Sequence, residues 1–183
     1  MPYLLPKPSM PMKALFTLLL LFLSSLVWAQ SPEQNLTELG ITLPEVSPPI
    51  ANYVKYVQTG DLIFLAGHGY CGEATEVDLG KVGRDLTVEQ GYQAARHVGI
   101  CALATLKSAI GDLSRVERIV KVEGMVNATE DFTQHPAVIN GYSDLMVAVF
   151  GDAGKHARMA VGMNSLPRGM AVEVAMVVQL REE

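Results

Sequence analysis

Two charged residues interrupt apolar segments near the end of this 183-residue sequence. Arg158 stands among alanines and aliphatic residues, and Glu173 interrupts a longer apolar run. A buried charge without a partner is costly, so each needs a counter-charge, solvent or a ligand. One interpretation is that they pair with each other or face solvent at a sheet edge. The other is a site where the arginine grips a carboxylate with two hydrogen bonds and the acid handles a proton or a water molecule.

Histidine spacing gives no indication of a metal centre. The sequence has no H-x-x-x-H pattern among its four histidines, so we predict no metal site. His97 lies within a predicted helix, where a surface or core role is the simplest interpretation. His68 follows a buried strand and could line a cleft. Motifs for a serine nucleophile elbow, a P-loop and a dinucleotide fingerprint are also missing from the sequence.

Composition excludes several classes of protein. Hydrophobic residues make up 49% of the chain, which is too many for a disordered tail. The net charge is −5, and no basic run offers a face that could displace counterions from phosphates. We therefore expect no nucleic-acid partner.

Residues 1–29 have the pattern of a secretory signal peptide. Lys7 and Lys13 precede an uncharged apolar stretch, and Val27 and Ala29 suit a cleavage site after Ala29. The alternative is an uncleaved anchor, but the apolar run of about 16 residues is shorter than the ~20 that a spanning helix needs. We therefore expect a periplasmic or secreted protein that has no membrane association after cleavage.

The mature chain divides into a proline-rich arm over residues 30–52 and a domain over residues 53–183. The prolines of the arm predict an extended conformation. An oxidising compartment would allow Cys71 and Cys101 to pair. Cys101, however, lies among alanines in a predicted helix, which favours a buried thiol, and the sequence leaves the pairing open.

Hydrophobic periodicity and turn residues predict the order β-β-α-β-α-β-β. The elements are a hairpin over 53–67, a helix from Thr87 to about Ile110, a strand over 116–127, a helix within 132–150, and strands over 157–162 and 170–180. This order predicts an α+β fold, a mixed sheet with two helices packed on one face. The other face would remain apolar, which favours a homo-oligomer.

Several stretches give the mature chain a strong resemblance to the RidA/YjgF family, whose fold is like that of chorismate mutase. They are Tyr53 with Val57-Gln58-Thr59-Gly60, Leu65-Ala66-Gly67-His68, Gly80-Lys81-Val82-Gly83, Val120-Lys121-Val122, Asn127-Ala128-Thr129-Glu130-Asp131-Phe132, His156-Ala157-Arg158, Ser165-Leu166-Pro167 and Val172-Glu173-Val174. The longer arm and first helix are similar to a less studied branch of the family.

The resemblance implies a homotrimer with a cleft at each subunit interface, in which 2-imino or enamine acids are hydrolysed to 2-keto acids and ammonia. It assigns the substrate carboxylate to Arg158 and the attacking water to Glu173. Tyr53, Asn140 and the backbone of Gly67 would line the cleft. Binding, positioning and one acid–base group suffice for this reaction, so no cofactor is implied.

Three positions depart from the better-known members of the family. Ala66, His68 and Ala160 stand where those members often have serine, glutamine and cysteine. Three functions stay in view: an imine deaminase, a non-catalytic trimer that binds a small carboxylate in the same cleft, and a ribonuclease, against which the acidic charge weighs. Catalysis would need Glu173, whereas binding would need mainly Arg158.

Overall fold

The computed structural model describes residues 30–49 and 51–182. The predicted signal peptide and its cleavage site lie outside these residues. The strands are β1 (Tyr56–Thr59), β2 (Leu62–His68), β3 (Val116–Asn127), β4 (Ala157–Met163) and β5 (Val172–Leu180). The α-helices are α1 (Pro32–Glu38), α2 (Val88–Ile110) and α3 (His135–Phe150), and short 3₁₀ turns precede β3, β4 and β5.

The strands form one mixed sheet in the order β1-β2-β5-β3-β4. Only the β3–β4 pair is parallel among these neighbours. The apolar C-terminal strand, β5, lies in the middle as its composition predicts. Its residues alternate between buried and half-buried, because one face packs on the helices and the other is open. The predicted α+β fold is confirmed.

Helices α2 and α3 pack together on one face of the sheet. Helix α2 begins at the predicted position with a capping box: Gln90 N donates to Thr87 Oγ1, and Thr87 N donates to Gln90 Oε1. The two helices approach closely where Gly141 of α3 meets Tyr92 of α2. A Cβ at Gly141 would lie 2.0 Å from the Tyr92 carbonyl oxygen, so only glycine fits there.

The prediction of an extended arm is wrong for residues 32–38, which form α1. Ser31 and Gln34 make a capping box, and Pro32 occupies the first turn, where its fixed φ favours a helix. Leu36 is buried, and Asn35 Nδ2 donates to the Val149 carbonyl at 2.8 Å. The arm is therefore docked on the domain. The prediction of an extended arm rested on the prolines alone, whereas the capping box within residues 31–34 favours a helix.

Cys71 and Cys101 form a disulfide, so the preference for a buried thiol at Cys101 is wrong. The irregular segment after β2 folds back over α2 and brings the two Cα atoms to 5.8 Å. Thirty residues separate the cysteines along the chain. Such a distant contact depends on how the loop packs, which no local pattern reveals.

The open face of the sheet carries large apolar side chains. Val57, Phe64 and Met159 are each more than 40% exposed. They come from β1, β2 and β4, so the apolar surface extends across the sheet. Within the described residues, no helix combines the length and the apolar character needed to cross a membrane.

Candidate functional site

A cavity of about 520 Å³ opens beside the C-terminal end of β2. Tyr53, Gly67 and Glu173 line it, together with Lys55 and Arg168. The β2–β5 register shifts between Leu65 and His68, and this bulge displaces the strand end that carries Gly67. Three of the predicted site residues therefore meet in one cavity.

Two acidic side chains, Glu45 and Glu173, line this cavity, and Glu173 is the one predicted to act on a ligand. It is half-buried, and burial raises the pKa of its carboxyl group above the ordinary value of 4.5. Among the described residues it has no hydrogen-bond or ion-pair partner. A Cβ at Gly67 would lie 2.1 Å from Glu173 Oε1. Because glycine has no Cβ, the Glu173 carboxylate can occupy the space beside the Gly67 backbone. The carboxylate is thus held against the backbone and left free to act on a ligand.

Two cationic side chains lie in the cavity wall and were missed by the sequence analysis. Lys55 comes from the segment before β1, and Arg168 follows the Ser-Leu-Pro stretch. Arg168 adopts a left-handed conformation (φ 58°), which is uncommon for a residue other than glycine, asparagine or aspartate. Its guanidinium lies 5.2 Å from the centre of the Tyr70 ring. The sequence signal that could have identified Arg168 is its position directly after Ser165-Leu166-Pro167, one of the stretches that carry the family resemblance.

His68 lines the cavity, as the sequence suggested it could, but both of its ring nitrogens are occupied. Nδ1 lies 2.7 Å from the Ala66 carbonyl oxygen, which only accepts, so Nδ1 carries the hydrogen. Nε2 lies 2.9 Å from Thr105 Oγ1. Burial lowers the pKa of His68, so the neutral ring is favoured. This histidine fixes the strand end to α2 and is not free for proton transfer.

Arg158 lies in a different place, at the sheet edge formed by β4. Its Nη1 donates to Asn140 Oδ1 at 2.9 Å and to Ser143 Oγ at 3.0 Å, both on α3. The side chain is exposed. Two neutral partners hold the guanidinium without cancelling its charge, which leaves it able to bind an anion.

Strand register separates Arg158 from Glu173. Arg158 is opposite Val122, a buried residue on the helix-packed face, whereas Glu173 is opposite Met125 on the open face. The β3 strand lies between them. Mutual pairing is therefore excluded within one chain. The predicted site residues form two groups: Tyr53, Gly67 and Glu173 in the cavity, and Arg158 with Asn140 at the β4 edge.

Comparison with known proteins identifies the fold and the family. Residues 33–180 match the family model described as "YjgF/chorismate_mutase-like, putative endoribonuclease". The chain belongs to the YjgF/RidA family. Protein TCP17 of Trypanosoma cruzi is 42% identical over 147 residues, which cover 80% of this chain and 92% of TCP17.

Two solved structures are similar to this chain. Atu1372 of Agrobacterium tumefaciens, a protein of unknown function, is 38% identical with a TM-score of 0.76 over 82% of this chain and 92% of its own. TdcF of E. coli, solved with bound serine, is 18% identical with a TM-score of 0.50 over 74% of this chain and 92% of its own, and shares only the fold.

His97 is half-buried and has a defined partner in this YjgF/RidA chain. Its Nδ1 lies 2.9 Å from Asp78 Oδ1 and 3.1 Å from Oδ2. Asp78 is buried and also accepts from the backbone amide and hydroxyl of Thr75. His97 lies on α2 one turn before Cys101, away from the Arg158 group. The sequence alone does not link it to the loop residue Asp78.

Proposed function

We propose that this protein is a hydrolytic deaminase of small 2-imino or enamine acids, producing 2-keto acids and ammonia. The observation that supports this best is the half-buried Glu173 carboxylate, which has no partner in the described part of the chain and lies in a cavity that also carries cationic side chains. An imine carbon is already electrophilic, so the protein need only hold the carboxylate and direct a water molecule. The resemblance in the sequence points to the same reaction.

We also propose that the active unit is a homotrimer in which each site takes residues from two subunits. Glu173 of one subunit would activate water, and Arg158 of the partner subunit would hold the substrate carboxylate. The apolar open face, with Val57, Phe64 and Met159 exposed, supplies a surface suited to burial between subunits. This arrangement explains why the two groups of predicted residues lie apart in a single chain.

In this mechanism the substrate carboxylate binds the Arg158 guanidinium, already oriented by Asn140 and Ser143. The Glu173 carboxylate takes a proton from water as the oxygen attacks the imine carbon. That proton passes to the nitrogen, giving a tetrahedral carbinolamine. The proton of the new hydroxyl group then moves to the nitrogen, again through Glu173. The carbon–nitrogen bond breaks, ammonia leaves and the keto carbonyl forms. A raised pKa suits Glu173 to both steps, because its two protonation states differ less in free energy near neutral pH.

Imine decay tests the activity. An amino-acid oxidase generates 2-iminopropanoate, semicarbazide traps what remains, and the mature protein is compared with its Arg158→Ala and Glu173→Gln variants. We expect faster imine loss with the unaltered protein alone. A rate equal to that of buffer would refute the deaminase and favour a non-catalytic binding protein. Binding of a small carboxylate that is retained in Glu173→Gln would then support the binding function.

Subunit complementation tests the shared site. Co-expressed Arg158→Ala and Glu173→Gln chains would assemble into mixed trimers, and an interface is intact when each chain contributes its unaltered half. Random mixing makes about one interface in four intact, so about a quarter of the activity should return. If each site lay within one chain, mixing would restore nothing. Light scattering checks the trimer, and a monomer would exclude the interface site.

We further propose that residues 1–29 direct export and are removed after Ala29, which makes the mature protein periplasmic or secreted. Mass spectrometry of the purified protein from the native host tests this proposal, because a mature chain would begin at Gln30.

A further inference from the structure

We propose that reduction of the Cys71–Cys101 disulfide converts this part of the molecule into a binding site for a borderline-soft divalent cation such as Zn²⁺. The ligands would be the two thiolates and the imidazole of His97. The two sulfurs and a ring nitrogen of His97 lie within 4.8 Å of one another. This inference does not depend on the proposed deaminase activity.

The ligand types and their placement suit zinc. His97 and Cys101 are four residues apart on α2 and so lie on the same face of the helix. Cys71 approaches from the loop after β2 and is held there by the disulfide. Zn²⁺ prefers sulfur and imidazole ligands in a tetrahedron, which places two sulfurs about 3.8 Å apart. Opening the disulfide allows that separation with little displacement of the loop.

The Asp78–His97 pair prepares the imidazole for this role. Because the carboxylate accepts from His97 Nδ1, the hydrogen resides there, and Nε2 of a neutral ring has a free lone pair. Among the described residues, nothing is hydrogen-bonded to Nε2. Asp78 is itself fixed by Thr75. A buried carboxylate that orients a histidine is the usual outer-shell support of zinc ligands. Histidine spacing does not predict this site, because two of its three ligands are cysteines and Cys71 comes from a loop distant in the sequence.

The site adjoins the candidate cavity, because Cys71 and Cys101 are both in its wall. Three protein ligands leave the fourth position of a tetrahedral zinc for water or a small ligand. Cys71 is partly exposed, so a reductant can reach its sulfur, whereas Cys101 is buried. Reduction by a phosphine consumes one water molecule, giving two thiols and the phosphine oxide. The cation then displaces both thiol protons as the metal–sulfur bonds form.

Cobalt titration of the mature protein tests the site. The protein is reduced with tris(2-carboxyethyl)phosphine and titrated with Co²⁺, whose visible absorption distinguishes tetrahedral thiolate coordination, and Zn²⁺ then displaces it. We expect one equivalent in the reduced protein and none in the oxidised protein. Cys71→Ser and His97→Ala should lose the tetrahedral spectrum. Asp78→Asn should weaken binding roughly 10- to 100-fold. His135→Asn, a histidine outside the cluster, should bind like the unaltered protein.

Three results would overturn the proposal. They are reduced protein without stoichiometric binding, oxidised protein that binds equally well, and a His97→Ala variant with an unchanged spectrum. Circular dichroism of each reduced sample reports whether it stays folded. If the reduced chain unfolds, zinc should restore the native spectrum, and failure to do so also counts against the site. Asp78→Asn gives an independent test because it keeps all three ligands.

Discussion

Gly67→Ala is expected to impair catalysis while leaving the fold intact. The new Cβ would lie 2.1 Å from Glu173 Oε1, whereas ordinary contact begins at 3.4 Å, so the carboxylate must retreat by at least 1.3 Å. A displacement of about 1 Å costs on the order of 100-fold in rate. Gly67 does not have a positive φ, and the atom displaced is the end of a flexible side chain. The free energy of unfolding should therefore change little.

The measurement is the rate of imine decay at saturating and at low substrate, alongside a urea denaturation curve. Gly69→Ala is a matched control on the same strand end, because its Cβ would meet Met170 Sδ at 2.0 Å and displace a thioether that has no proposed role in the reaction. We expect kcat to fall about 100-fold in Gly67→Ala and far less in Gly69→Ala. Unaltered kcat in Gly67→Ala, or equal losses in both variants, would refute the placement of Glu173 as the catalytic acid.

Three further predictions concern pH and stability. Because burial raises the pKa of Glu173, the acid limb of the pH profile of kcat/KM should lie above pH 4.5. The same raised pKa means that the free energy of unfolding should fall as pH rises from the ordinary pKa of the carboxyl group to its raised pKa in the folded protein. Replacing Cys71 and Cys101 with alanine should cost about 3.6 kcal/mol in urea denaturation, since the disulfide closes a 30-residue loop. Gly141→Ala should cost about 3 kcal/mol or more, because its Cβ would lie 2.0 Å from a backbone oxygen of Tyr92 that cannot turn away.

Each of these has a contrary outcome. An acid limb at the ordinary position, unchanged by Glu173→Gln, would assign the titration to another group. Equal stability of the unaltered protein and the double-alanine variant would mean that the disulfide does not constrain the unfolded chain. Gly141→Ala with unaltered stability would contradict the close approach of α2 and α3.

Local patterns determined the elements of this protein. The capping box at Thr87 and Gln90, the glycine after α2 and the alternation in β3 each depend on residues within a few positions of one another. The capping box at Ser31 likewise determines where α1 begins, although the neighbouring prolines favoured the prediction of an extended segment. The sequence also identified Arg158 and Glu173, because charge is rare in apolar strands.

Tertiary structure alone decided how the site residues are grouped. Arg158 and Glu173 fall on opposite faces because of strand order and register, which depend on contacts between distant segments. The Cys71–Cys101 disulfide and the Asp78–His97 pair likewise depend on a loop that folds back over α2. A sequence reveals which side chains are unusual in their local surroundings, whereas their partners depend on the packing of the whole chain.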